Sequence, residues 1–183
     1  MCNNKKLISL LIFIMLVNFN VANVTASGIE SLQLIQILKD DVNDVDGLGN
    51  PRSVKVLSDN SKVFVSSGDD NAFAVFNLDK DFKLTFSQVF ENSSTNINGL
   101  EGASGVTYFD RGNQVVVTGF YDGALSRFSQ NNSSYRFSQF ISDGLSYDRV
   151  FDSDVPVGEL DNLGLLGAWD IVKTSNEKQL FVA

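Results

Sequence analysis

Histidine is absent from this 183-residue chain, and proline (2), methionine (2), tryptophan (1) and cysteine (1) are scarce. The missing imidazole excludes Ser-His-Asp and Cys-His nucleophile systems, and His-ligated metal sites, from anything the chain does unaided. Two prolines against 14 dispersed glycines exclude collagen-like and Pro-rich classes. Positive charge is also short, with 14 Lys and Arg against 22 Asp and Glu, a net charge of −8 and a pI near 4.4. Nucleic acid and anionic membrane surfaces reward basic patches, so neither is expected as a partner. What is present is 43% hydrophobic residues with 15 Phe, the profile of one globular domain. Aromatics suit pleated, half-buried surfaces, which favours a β-rich fold.

The N-terminus reads as an export leader. Lys5 and Lys6 precede the apolar run Leu7 to Val17, which has h-region length and is short for a bilayer span. Val24 and Ala26 place small residues at the minus-three and minus-one positions, so cleavage is expected after Ala26, giving a signal peptide over 1–26 and a mature domain over 27–183. Cys2 lies ahead of the apolar run, so lipidation is not indicated. Cleavage removes the sole cysteine with Lys5 and Lys6 and deepens the net charge from −8 to −10. The expected product is exported, periplasmic or extracellular, without disulfides and without a membrane anchor.

Sliding the chain against itself reveals a period of 52, carrying Val54 onto Val106. Residues 34–77 fall without gaps on 86–129, with nine identities: Gln36/Gln88, Gly47/Gly99, Leu48/Leu100, Val54/Val106, Val63/Val115, Val65/Val117, Asp70/Asp122, Ala72/Ala124 and Phe76/Phe128. A third copy begins at Tyr135 and resumes, after an insertion of about 14 residues, at Leu165, Gly167, Ala168 and Ile171 against Leu100, Gly102, Ala103 and Val106. The repeats are thus placed at 32–83, 84–134 and 135–183, the last cut short. Within one period the apolar runs Ser53 to Leu57, Val63 to Ser66, Ala72 to Leu78 and Leu84 to Phe90 have strand length. Asp59-Asn60, Gly68 to Asn71 and Asp79 to Asp81 punctuate them with residues that tolerate positive φ or cap their own backbone. Four antiparallel strands per period, apolar on both faces, predict β-propeller blades, each packed between two neighbours. The fold class expected is all-β, an incomplete propeller of two full blades and part of a third. Such a set cannot close, which reads as a truncated product or fragment, with completion by a partner chain as the alternative.

The segments VDGLGNPRSVKVLSDNSKVFVSSGDDNAFAVFNLD, from Val45, and INGLEGASGVTYFDRGNQVVVTGFYDGALSRFSQ, from Ile97, share G-L-x-G-x-x-x-V or a close variant, a turn, V-x-V, a Gly/Asp turn and A-x-x-x-F. In this they resemble repeats of the lactonase-type seven-bladed β-propeller family, from about Leu32 onward. The resemblance implies lactone hydrolysis or formation on polar residues around the axis, as in phosphogluconolactonases and a muconate-cyclising enzyme. Catalytic sets in such relatives draw on His, Arg and Glu, and no catalytic residue carries over to this chain.

Up-and-down strand order assigns fifteen Asp and Glu to one rim of the blades with Arg149 as the only base, and a near balance to the other rim. The expected site is a ligand- or cation-binding rim at Asp46, Arg52, Asp69, Asp70 and Asp122. Ca²⁺ is the first candidate, because hard cations take carboxylate oxygens and need neither His nor Cys. Asp41 to Gly47 lacks the register and distal Glu of an EF-hand loop. Asp70 and Asp122 recur at one tight turn, where capping is expected; Arg52 opens an inner strand and can hold an anion; Trp169, at a strand start, is expected to pack. The function expected is a ligand-binding or scaffold module with no catalysis by this chain alone, its partner a small molecule, a carbohydrate or a protein. The alternatives are a lactonase or cycloisomerase with catalytic residues in further blades, and an extracellular protein-interaction module.

Overall fold

The computed structural model describes residues 34–94, 96–142, 144–146 and 160–183. The expected leader 1–26 lies outside them, as do most of the insertion and Asp143, Asp148, Arg149, Asp152, Asp154 and Glu159 of the acidic rim. Among the described residues ten strands follow in order: β1 (Pro51–Val56), β2 (Lys62–Ser67), β3 (Ala72–Leu78), β4 (Leu84–Glu91), β5 (Ala103–Phe109), β6 (Gln114–Gly119), β7 (Ala124–Asn131), β8 (Ser134–Ile141), β9 (Ile171–Lys173) and β10 (Leu180–Val182). They form two four-stranded antiparallel sheets, β1-β2-β3-β4 and β5-β6-β7-β8, and a two-stranded sheet, β9-β10. The fold is all-β, its sheets resemble propeller blades, and among the described residues they do not close into a ring.

The four strands expected in the first period are all present. β3 coincides with Ala72 to Leu78, whereas β1 starts earlier, at Pro51, and gives up Leu57, whose N–H donates to the Lys62 carbonyl at 2.9 Å to close the turn. Proline is tolerated there because it opens the strand at the edge of its sheet. Asn60, Asn71 and Asn132 sit at tight turns with φ of 58°, 52° and 58°, which this side chain bears better than most. The sequence period and the blade are offset by one strand. β4 opens the second period at Leu84 yet closes the first sheet by pairing with β3.

Alternation along β2 sends side chains to both faces of the first sheet. One face presents Phe64, with Phe73 and Val75 from β3, to the second sheet's Val106, Val115, Val117 and Phe128, forming one buried cluster. Phe128 packs 4.8 Å from both Phe73 and Phe90, and Phe64 meets Tyr135 edge-on at 5.5 Å. Each fully buried aromatic ring here stabilises by about 1.5–3 kcal/mol. Tyr135 is 1% exposed, and its hydroxyl donates to the Gly112 carbonyl at 2.6 Å, so β8 is tied to the turn between β5 and β6. The opposite face of the first sheet, with Val63, Val65, Ala74 and Phe76, packs on Val45, Leu38 and Leu48.

A second tie repeats with the period. The Gln36 side chain brackets the backbone of Leu84, accepting from its N–H at 2.7 Å and donating to its carbonyl at 2.9 Å. Gln88 does the same to Tyr135, at 2.7 and 3.4 Å. Residues 35–39 therefore lie beside the outer strand β4 as β4 lies beside β8, although they form no strand themselves.

Candidate functional site

The loop before β1 and the β2–β3 turn build an acidic cluster. Gly47 turns the chain at φ 78°, a conformation that side chains other than glycine's resist. This directs three successive N–H groups at carboxylates. Gly47 donates to Asp46 at 2.7 Å, Leu48 to Asp40 at 2.8 Å, and Gly49 to Asp70. Each carboxylate is thereby held by one oxygen, and Asp40, Asp46 and Asp70 offer ligand atoms that all lie within 4.8 Å of one another. All three are half-buried. Burial pushes the Asp70 carboxyl above its ordinary 3.8, the Gly49 N–H opposes this, and the charges of Asp40 and Asp46 add to the rise. Three carboxylate oxygens at this spacing form a hard, anionic donor set suited to Ca²⁺ and unsuited to soft metals.

The second period builds the same scaffold with less charge. Leu100 donates to Asn92 at 3.1 Å and Glu101 to Asp122 at 2.9 Å, as Leu48 and Gly49 do to Asp40 and Asp70. Asn92 and Asn98 stand where Asp40 and Asp46 stand, so the second loop lacks the two aspartates that accompany Asp70. In the third copy Leu165 donates to Asp161 at 3.1 Å. Asp70 and Asp122 thus hold the preceding loop, reaching an N–H 21 residues back, in place of the expected capping of their own turn. Asp69 is exposed and accepts from the Asn50 amide at 2.9 Å, beside the cluster. Of the expected site residues, Asp46 and Asp70 are brought together; Asp122 holds the equivalent loop of the next blade. Asp40 belongs to the cluster although sequence reasoning placed it only on the rim. The readable signal was its alignment with Asn92, each eight residues before a matched leucine.

Arg52 belongs to a different constellation. Its Nη1 donates to the Gly102 carbonyl at 3.1 Å and to Ser104 Oγ at 3.2 Å, and its guanidinium carbon lies 5.1 Å from the centre of the Trp169 ring. Arg52, Ser104 and Trp169 are the same position in three successive periods; Arg52 and Ser104 lie at the starts of β1 and β5, and Trp169 lies two residues before β9. Gly68 permits the approach, since a Cβ there would lie 2.1 Å from the guanidinium. Ser104 is 1% exposed and donates to the Gly102 carbonyl at 2.8 Å, while Trp169 is 54% exposed. Trp169 was expected to pack, and its ring meets Phe120 edge-on at 5.6 Å while also lying against the Arg52 guanidinium. Among the described residues no carboxylate pairs with Arg52, which leaves its cation available to an anion.

The sequence matches no protein-family model and no curated protein. Solved structures are similar to it in fold. The periplasmic gluconolactonase of Pseudomonas aeruginosa matches over 76% of this chain and 33% of its own, at 15% identity and TM-score 0.53. A Bacteroides fragilis protein provisionally named a 6-phosphogluconolactonase matches over 73% and 31%, at 14% identity and TM-score 0.53. A functionally unknown protein of Desulfotomaculum acetoxidans matches over 80% and 40%, at 15% identity and TM-score 0.51. This chain therefore spans 31% to 40% of the length of these three structures.

Proposed function

We propose that this chain is a binding module built of β-propeller blades, and that the loop rim of its first blade holds a divalent cation, Ca²⁺ before others. The carrying observation is the meeting of Asp40, Asp46 and Asp70 within 4.8 Å, from segments as far apart as 40 and 70. Each carboxylate accepts a backbone N–H at one oxygen, which fixes its position in the cluster. A cation would also relieve the repulsion that helps raise the Asp70 carboxyl. Three carboxylates supply part of the six to eight oxygens Ca²⁺ takes, water completing the set, so affinity is expected on the order of 10⁻⁴–10⁻³ M. Calorimetric titration of the full chain with CaCl₂ tests this. Saturable heat that disappears in Asp70→Asn is the expected result; no heat at millimolar metal removes the proposal. Export of the module is supported by the leader pattern at 1–26 and is checked by fractionation.

Arg52 carries a second reading. Its guanidinium, unpaired with carboxylates and stacked over Trp169, suits a carboxylate-bearing small molecule at the inner strands. Lactone chemistry, suggested by the names of two structural neighbours, is the enzymatic alternative, and it lacks any imidazole base in this sequence. Hydrolysis of gluconolactone by the purified chain, reduced on Arg52→Gln, would favour that alternative over simple binding.

A further inference from the structure

Asn98 and Gly99, in the loop before β5, form the sequence's one Asn-Gly step. Asn98 is exposed, and Gly99 turns the chain at φ 85°. Among the described residues neither the Asn98 side chain nor the Gly99 N–H makes a hydrogen bond. One period earlier, Gly47 donates to the Asp46 carboxylate at 2.7 Å, so a side chain at this position of the loop reaches the amide of the glycine that follows it.

Contact of that kind opens a reaction to an Asn-Gly step. The glycine nitrogen attacks the asparagine Cγ, the new N–Cγ bond closes a succinimide ring, and the Cγ–Nδ2 bond breaks. The side-chain nitrogen leaves as ammonia, taking the glycine's proton with it. Water then opens the ring at either carbonyl and leaves aspartate or isoaspartate. Glycine favours the attack because no Cβ crowds its nitrogen. The nitrogen must first shed its proton, which places negative charge on the oxygen of the same peptide group, the Asn98 carbonyl. Ser126, fully buried, aims its hydroxyl there, with Oγ 2.8 Å from the Asn98 oxygen and 3.0 Å from the Gly99 oxygen. A fixed donor directed at developing charge stabilises it. Gly99 admits the hydroxyl, since a Cβ there would lie 2.6 Å from it. The first blade has Ala74 at the position of Ser126.

We propose that Asn98 is a modification site at which the folded chain deamidates itself, Ser126 assisting the loss of the Gly99 proton. The product adds a negative charge to the second loop at the position that Asp46 holds in the first. The second loop thereby gains acidic character with the age of the protein, and no enzyme is required.

Incubation of the purified full chain in mildly alkaline buffer, with peptide mapping by mass spectrometry and enzymatic labelling of isoaspartate, tests this. Asn98 should lose its amide more than about tenfold faster than Asn92, whose side-chain oxygen is engaged by the Leu100 N–H at 3.1 Å. Ser126→Ala should slow the conversion by about tenfold and keep the fold by circular dichroism, because alanine already fills the equivalent position as Ala74. If that variant fails to fold, the wild-type chain unfolded in urea at the same pH supplies the comparison. An Asn98 that keeps its amide in the folded chain while the unfolded chain loses most of its own would overturn the proposal. A folded Ser126→Ala chain that converts at the wild-type rate would do so as well.

Discussion

Replacing Tyr135 by Phe removes one oxygen and leaves the ring in place against Phe64. The hydroxyl donates to the Gly112 carbonyl at 2.6 Å in a site 1% exposed, so at neutral pH the variant should lose about 1–2 kcal/mol, the worth of a buried hydrogen bond with its acceptor stranded. The alkaline limb carries the sharper consequence. Burial, with the Asp59 charge adding to it, pushes the Tyr135 hydroxyl up from 10.0 to about 12. The unfolded chain releases this proton near 10.0 and the folded chain holds it until about 12, so stability from this group is complete below the lower value and falls as pH rises through the window. The fall amounts to about 2–3 kcal/mol for a gap of that size. Urea denaturation at a series of pH values between about 8 and 12 measures it. The two proteins differ in this one hydroxyl, so the quantity to follow is the difference between them. That difference should shrink with rising pH and reach zero or reverse by the top of the window, because the wild type loses about 2–3 kcal/mol that the variant never had. A constant offset across the window would refute the reasoning, showing that the folded hydroxyl ionises as easily as the unfolded one.

Phe73→Ala should cost about 3–5 kcal/mol by urea denaturation, because Phe73 is fully buried and lies 4.8 Å from Phe128 and 5.8 Å from Phe90; a loss under about 1 kcal/mol would deny it a central place between the blades. Asp40→Asn should change stability by less than about 0.5 kcal/mol, since Asn92 makes the equivalent bond to Leu100. The same variant should lower the Asp70 carboxyl toward its ordinary value, an effect that carbon-13 NMR titration detects, because it removes a neighbouring negative charge.

The features legible in the sequence are those that local chemistry decides. Apolar runs of strand length separated by Asn, Asp and Gly turns fixed β2, β3 and β4 to within a residue or so, because alternation and positive-φ tolerance act over a few residues. The recurrence of Asp70 and Asp122 was visible, but their role was not: capping of their own turn is the local solution, and the folded chain brings the preceding loop to them instead. Arg52, Ser104 and Trp169 were in register in the alignment, and their convergence depends on inner strands standing side by side. That is a property of packed sheets which no single period contains. The Asp40, Asp46 and Asp70 cluster was half legible for the same reason, as it joins residues of one loop to the tip of a hairpin two strands later.

The offset between period and sheet means that the unit copied in the sequence is not the unit that folds. A cut at Leu84, where the pattern restarts, would strip β4 from the first sheet and carry it off with β5, β6 and β7. Adjacent blades are consequently linked like hooks in a chain. Excising one period cleanly at the sequence level leaves two damaged sheets, whereas a cut in the loop after Glu91 leaves whole ones.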